Sequence, residues 1–177
     1  MNIYLKEPTL EEYWYEQKVL SDPQAMKYNA GWDVSYAGYH YDTGCIDYPK
    51  ERWEHNFLKR KETNSYFAYV VRKEDGLFIG YVYFHFNKNS NRYGCGVLIE
   101  PSYRGKGYGK EALKELCKVA FNDHNLDSLY DDFEESRNAF KLFEDIGFKK
   151  IGNYTRKKFD EDITIVEICL KKEDFIQ

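Results

Sequence analysis

Arg104-Gly105-Lys106-Gly107-Tyr108-Gly109 places three glycines at alternating positions between a strand-like run and a helix-like one. Glycine lets a backbone turn tightly and approach a ligand with no Cβ in the way. Successive N–H groups of such a loop, followed by the open amides of a helix N-terminus, make a site for an anion. Arg104, Lys106 and Lys110 put positive charge at its rim. A plain strand-to-helix turn with exposed cations would have the same residues, and the loop alone leaves the two readings even. Two other phosphate loops are excluded. A nucleoside-triphosphate loop needs a hydroxyl after its lysine for magnesium, and Lys110 is followed by Glu111. A dinucleotide loop follows the first strand of a parallel βαβ unit, whereas this one follows a predicted antiparallel meander.

The elements that must position the loop are legible from periodicity. Ile3 to Lys6 reads as a short strand, and Thr9-Leu10-Glu11-Glu12 has the form of a capping box opening a helix that runs to about Leu20 and stops before Pro23. Tyr28 to Tyr48 has no sustained period and reads as a long loop, of a kind often functional. Pro49 suits a first helical position, with Trp53, Phe57 and Leu58 on one face. Tyr66–Arg72 and Leu77–Phe86 flank Lys73-Glu74-Asp75-Gly76 as a hairpin, and a strand from Arg92 to about Ile99 follows. Beyond the loop, Lys110 to about Asn122 is an amphipathic helix, Asp127–Asp132 a strand, and Ala139–Ile146 a helix ended by Gly147. Lys149–Arg156 and Ile163–Leu170 are two closing strands. This order is one α+β domain over residues 1–177.

Composition bounds the function. The chain has 177 residues, enough for a core without disulfides or metal. Its net charge of −4 and lack of a basic block argue against a nucleic-acid partner. No apolar run reaches the length of a membrane helix, and the N-terminus lacks a signal-peptide pattern, so no membrane association and a cytoplasmic location are expected. Cys45, Cys95, Cys117 and Cys169, like the four histidines, are scattered, and no metal is expected. Seventeen tyrosines and twelve phenylalanines predict a core and pockets built from flat rings.

Val97-Leu98-Ile99-Glu100-Pro101-Ser102-Tyr103-Arg104-Gly105-Lys106-Gly107-Tyr108-Gly109 resembles the cofactor motif of the GNAT superfamily of N-acetyltransferases, Q/R-x-x-G-x-G/A after a strand-end proline. Ser136 to Phe148 resembles that family's second signature, a helix closing in Gly-Phe. The resemblance implies a mixed, mostly antiparallel sheet of about seven strands, splayed between strands 4 and 5 and flanked by about four helices. It also implies acetyl-CoA as cosubstrate. The pyrophosphate would meet Arg104, Gly105, Lys106, Gly107, Tyr108, Gly109 and Lys110. The pantetheine arm would lie along Val97, Leu98 and Ile99, with Ser136 and Phe143 beside it.

Direct transfer to an amine needs a base, and a carboxylate commonly serves. Many members of the family carry a glutamate early in the fourth strand, where this chain has Tyr93. Glu100 at the end of that strand and Glu134, near Asp131 and Asp132 across the cleft, are the candidates. Each could equally be solvated or cap the next segment. The usual acid is a tyrosine where Phe143 stands. Tyr103, Tyr108 or Tyr130 could replace it, but a thiol of pKa about 8–9 leaves near neutrality unaided, and no acid is expected. The loop from Tyr28 to Tyr48 falls where the family builds its acceptor wall. Trp32, Asp33, Tyr36, Tyr39 and Asp42 would suit a cationic amine, unless the rings only pack the loop. The expected acceptor is a primary amine of a small molecule or peptide, and the protein a monomer or homodimer. A non-catalytic acyl-CoA-binding or sensory module of the same fold is the alternative.

Overall fold

The computed structural model describes Asn2–Gln177. Seven strands form one sheet in the order β1-β2-β3-β4-β5-β7-β6. They are β1 (Ile3–Lys6), β2 (Tyr66–Arg72), β3 (Phe78–Asn87), β4 (Arg92–Ile99), β5 (Ser128–Glu134), β6 (Lys149–Lys158) and β7 (Glu161–Lys171). Neighbours are antiparallel except β4 and β5, which are parallel. That pair has one registered position, Gly94 with Tyr130. Beyond it β4 continues against β3 as far as Ile99, while β5 continues against β7. The splay expected between the fourth and fifth strands is therefore present.

Alternation along β2 separates two cores. Ala68 and Val70 face a cluster with α4 (Tyr108–Lys118), whose Ala112, Leu113, Leu116 and Cys117 are fully buried. The helix then widens into a π turn over Val119–Asp123, which keeps Ala120 and Phe121 inside. Phe67 and Tyr69 face the other side, against α1 (Trp14–Leu20) and Trp53 of α3 (Trp53–Glu62). The last helix, α5 (Phe140–Glu144), returns Phe143 and the following Ile146 and Phe148 to the first cluster.

Helix boundaries differ from the sequence reading where proline and glycine act. Pro23 does follow the end of α1, but it also opens a further short helix, α2 (Pro23–Met26), because Asp22 caps it by accepting from the Gln24 N–H at 2.9 Å. Among the described residues this gives five helices where about four were expected. Pro49 is the cap of a 3-10 turn, Lys50–Arg52, that leads into α3, one position outside the helix. The N-terminal capping residues Thr9 and Glu12 do meet, Thr9 N–H donating to Glu12 Oε2 at 2.9 Å, over the 3-10 turn Leu10–Tyr13. α4 begins at Tyr108, inside the expected glycine loop, since Gly107 adopts φ +86° and starts the helix early.

The long loop after α2 is tied at both ends. Ile46 N–H donates to Leu20 O at 2.9 Å, and Phe159 N–H, at the β6–β7 turn, donates to Gly31 O at 2.8 Å. Trp32 and Lys158 also form a bridge. The loop thus roofs the open side of the split.

One buried ion pair holds α1 to α3. Arg60 donates through both Nη atoms to Glu16 at 2.9 and 2.7 Å, with its guanidinium 3.7 Å from the Phe67 ring centroid. Arg60→Ala leaves the buried Glu16 carboxylate without a counterion. Loss of about 3–5 kcal/mol is expected, read as a lower midpoint in urea unfolding at unchanged slope.

Candidate active site

The gap between β4 and β5 opens into a cleft of about 710 Å³. Gly96, Val97, Leu98 and Ile99 form one wall, with Phe133, Glu134 and Phe143 opposite. At its mouth lie Arg104, Gly105, Gly107, Tyr108, Gly109 and Lys110. Among the described residues, the N–H groups of Gly105, Lys106 and Gly107 meet no backbone acceptor. Tyr108 and Gly109 begin α4, so their N–H groups have no partner within the helix. Gly105 and Gly107 have φ of +75° and +86°, which a Cβ would strain although nothing crowds them. The loop is a row of open donors facing a cleft.

Cations frame that row differently from one another. Arg104 Nε donates to Ile99 O at 2.8 Å and so braces the loop against the end of β4. Burial, together with nearby Arg137, lowers its pKa. Lys110 pairs with Asp145 at 2.8 Å, tying α4 to the end of α5. Lys106 does not line the cleft, and its ammonium lies 5.7 Å from the Tyr103 ring centroid. Ser136 also lies outside the cleft wall, on an exposed 3-10 turn, while Arg137, Asn138 and Ala139 line it.

The acidic residues near the split separate by environment. Glu100 is buried away from the cleft on the α1 side, accepting from Tyr15 OH at 2.7 Å and Lys18 Nζ at 2.9 Å. Glu134 lines the cleft but is paired with Lys158 at 2.6 Å, both side chains being largely covered. Asp132 accepts from Tyr154 OH at 2.7 Å, and burial together with this bond raises that phenol to about 12. Asp131 stands at the neck where β4 and β5 part. It keeps a little solvent-accessible area, yet protein surrounds it densely. Burial lifts its carboxyl to about 8, and the Asp132 charge adds to this, although the Asp132 N–H donates to Asp131 Oδ1 at 2.8 Å. Asp131 was legible in the sequence only as one of several acids ending the fifth strand. Which of them would be desolvated depends on the split.

Phe143 is buried in the cleft wall, stacked on Phe133 at 5.7 Å with 7° between planes. Tyr103 and Tyr108 also line the cleft, whereas Tyr130 lies in a separate polar pocket on the other side of the neck, under Arg92. Tyr83 joins the two pockets. Its ring lies over Gly96 so closely that a Cβ there would sit 2.5 Å from it.

Of the loop residues expected to meet an acceptor, only Trp32 lines the cleft, joined by Tyr28. Asp33 and Asp42 are exposed and outside it. Tyr39 is part of the loop's own frame, donating to Asn29 O at 2.7 Å and accepting from Trp32 N–H at 3.1 Å. Tyr36 accepts from Asn29 Nδ2 at 3.1 Å. Tyr154 and Arg156 enter the cleft from β6, and no local pattern in the sequence pointed to them.

The seven-stranded mixed sheet is split after its fourth strand, with a glycine loop at the mouth of the split. The family model described as the acetyltransferase (GNAT) domain matches residues 3–149, and the chain belongs to that family. It is 23% identical over 99 residues to an uncharacterized N-acetyltransferase, YnaD, of Bacillus subtilis, a match covering 55% of this chain and 58% of that protein. Among solved structures, the spermidine N-acetyltransferase of Vibrio cholerae, determined with CoA and spermine, superposes with a TM-score of 0.77 at 15% identity over 99% of both chains. A GNAT-family acetyltransferase of Bacillus anthracis gives 0.71 at 17% identity, covering 98% of this chain and 96% of that one. Among the described residues no helix is long and apolar enough to cross a membrane.

The position of Asp131 sets a direct test. In a carbon-13 NMR titration its side-chain carboxyl should titrate near pH 8. A midpoint near 4 would mean that the neck is open to water.

Proposed function

We propose that the protein is an acetyl-CoA-dependent N-acetyltransferase acting on a primary amine of a small molecule or peptide. The observation that supports this most is the single registered pair of β4 and β5, which leaves a cleft with open amide donors at its mouth. The donors of Gly105–Gly109 suit a pyrophosphate, with Arg104 and Arg137 adding charge. The free edge of β4 from Gly96 to Ile99 suits an extended arm bearing amides, which would pair as an added strand. Acetyl-CoA bound there supplies the acyl group as a thioester.

Asp131 is the base in this reading. In its ionised form it takes the proton as the amine nitrogen bonds to the acyl carbon and the carbon–sulfur bond breaks, the sulfur leaving as thiolate. A carboxyl near 8 is a far better proton acceptor than one near 4. Glu134 is neutralised by Lys158, and Glu100 faces α1, so neither competes. Phe143 carries no proton. Its role is to wall the cleft with Phe133.

Thiol release from acetyl-CoA over an amine panel tests the activity. The absence of turnover with every amine, with CoA binding intact, would favour a non-catalytic module. With an acceptor whose own pKa lies below 7, kcat/KM should rise with pH and level off above about 8, because the base must lose its proton to act. Asp131→Asn should lower kcat by about 10²–10⁴-fold and remove that rise. Binding of CoA, measured by calorimetry, should suffer more from Gly107→Val than from Arg104→Ala, since backbone shape matters more here than one charge. The reverse order would mean that side chains, not amides, hold the phosphates.

A further inference from the structure

The acceptor end of the cleft has an uneven distribution of charge. Of its carboxylates, Glu134 is ion-paired with Lys158 at 2.6 Å, while Asp132 accepts only from the neutral Tyr154 hydroxyl at 2.7 Å. Asp131 is desolvated and holds its proton through much of the neutral range. Arg156, from β6, has no carboxylate partner among the described residues, and its guanidinium lies 4.5 Å from the Trp32 ring centroid. On the adjoining strand, Glu167 lies 3.8 Å from Arg92, and Asp162, next to the Ile163 that faces Arg156, pairs with Lys157 at 2.9 Å. A guanidinium lying over an indole face can still offer N–H groups to a carboxylate in a planar fork.

Arg156 is also well placed relative to the reaction. It lines the same cleft as Asp131 but lies on β6, across β7 from β5, away from the glycine loop. It is therefore not one of the cations at the phosphate mouth, where Arg104 and Lys110 stand. A polycationic acceptor would meet the unpaired Arg156 here, with Asp132 as the one cleft carboxylate, among the described residues, that is neither ion-paired nor the proposed base. The acidic loop residues that would have welcomed it, Asp33 and Asp42, are outside the cleft.

We infer that the acceptor is a small amine that also carries a carboxylate, an amino acid or a close relative of one, with Arg156 receiving the carboxylate over the Trp32 ring. This rests on the acetyl-transfer reading of the cleft. Trp32 and Lys158 are joined by a backbone bridge, so the loop and the β6–β7 hairpin hold ring and guanidinium in register. Tyr28, Trp32 and Tyr83 line the same cleft and would face the body of such an acceptor.

Matched pairs decide it: phenylalanine against phenethylamine, and lysine against cadaverine, with acetyl-CoA and the intact protein. The carboxylate-bearing member of each pair should have a kcat/KM about tenfold higher or more, the scale of one charge-assisted bidentate contact. Arg156→Gln should bring the ratio within each pair toward one, through KM and not kcat. A preference for the decarboxylated amines, or an equal loss on both members, would overturn the inference while leaving acetyl transfer standing. If no amine turns over, the transferase reading fails, and calorimetry on the CoA-loaded protein still decides the carboxylate site. Phenylalanine binding that weakens about tenfold in Arg156→Gln supports it, and no preference for phenylalanine over phenethylamine sinks it.

Discussion

A parallel pair of strands that meets at one position and then parts leaves two polar edges facing each other inside a protein. That constraint organises the rest of the molecule. Buried backbone N–H and C=O groups must find partners, so a split of this kind has to admit water or a ligand with its own amides. β4 is held by β3 throughout, and β5 by β7, so neither edge can close the gap by shifting without breaking an established ladder. Both neighbouring pairings are longer than the one they oppose. The cleft is therefore kept open by the sheet itself, and α4 and α5 cover one face without filling it.

The consequences for charge follow from the same opening. Residues of β5 beyond Tyr130 lose the neighbour that would have screened them, and alternation then gives successive side chains different surroundings. Asp132 projects to the side where Tyr154 meets it, while Asp131 is pressed into the neck. The Asp131 carboxyl is thereby held above the ordinary carboxylate range. Burial, not a special partner, makes the difference. Glu134, one more turn of the pleat along, falls within reach of Lys158 because the β6–β7 hairpin curls over the cleft with Trp32.

Much of this was legible in the sequence, though unevenly. The three alternating glycines, the strand before them and the apolar stripe Ala112–Cys117 are local signals, and each element formed close to where its pattern lay. Short elements were less legible: Pro23 was read as a stop, but Asp22 before it made the same residue a start. The glycine-loop side of the cleft comes from one continuous segment, and most of the residues named for it do line the cleft, although Lys106 and Ser136 do not. The acceptor side was not, because it joins the loop after α2 to a hairpin some 120 residues later, a juxtaposition visible only in the fold. Sequence could place Asp33 and Asp42 on that loop but not show that the loop's own hydrogen bonds, through Tyr39 and Asn29, turn them outward.

Phe143 illustrates how packing and chemistry exclude each other at one position. Its ring is parallel to Phe133 and edge-on to Phe148 at 5.2 Å, so Phe133 and Phe143 wall the cleft with Phe148 packed behind. A phenol there would need a partner for its hydroxyl, and no polar side chain of the stack offers one. Proton donation to the leaving group is the less demanding half of the reaction, since a thiolate is stable near neutrality, whereas an amine must be relieved of a proton it holds tightly. In the proposed reaction the wall therefore gives up an acid that the chemistry does not require, and the desolvation of the same region raises Asp131, the carboxyl proposed to serve the harder half.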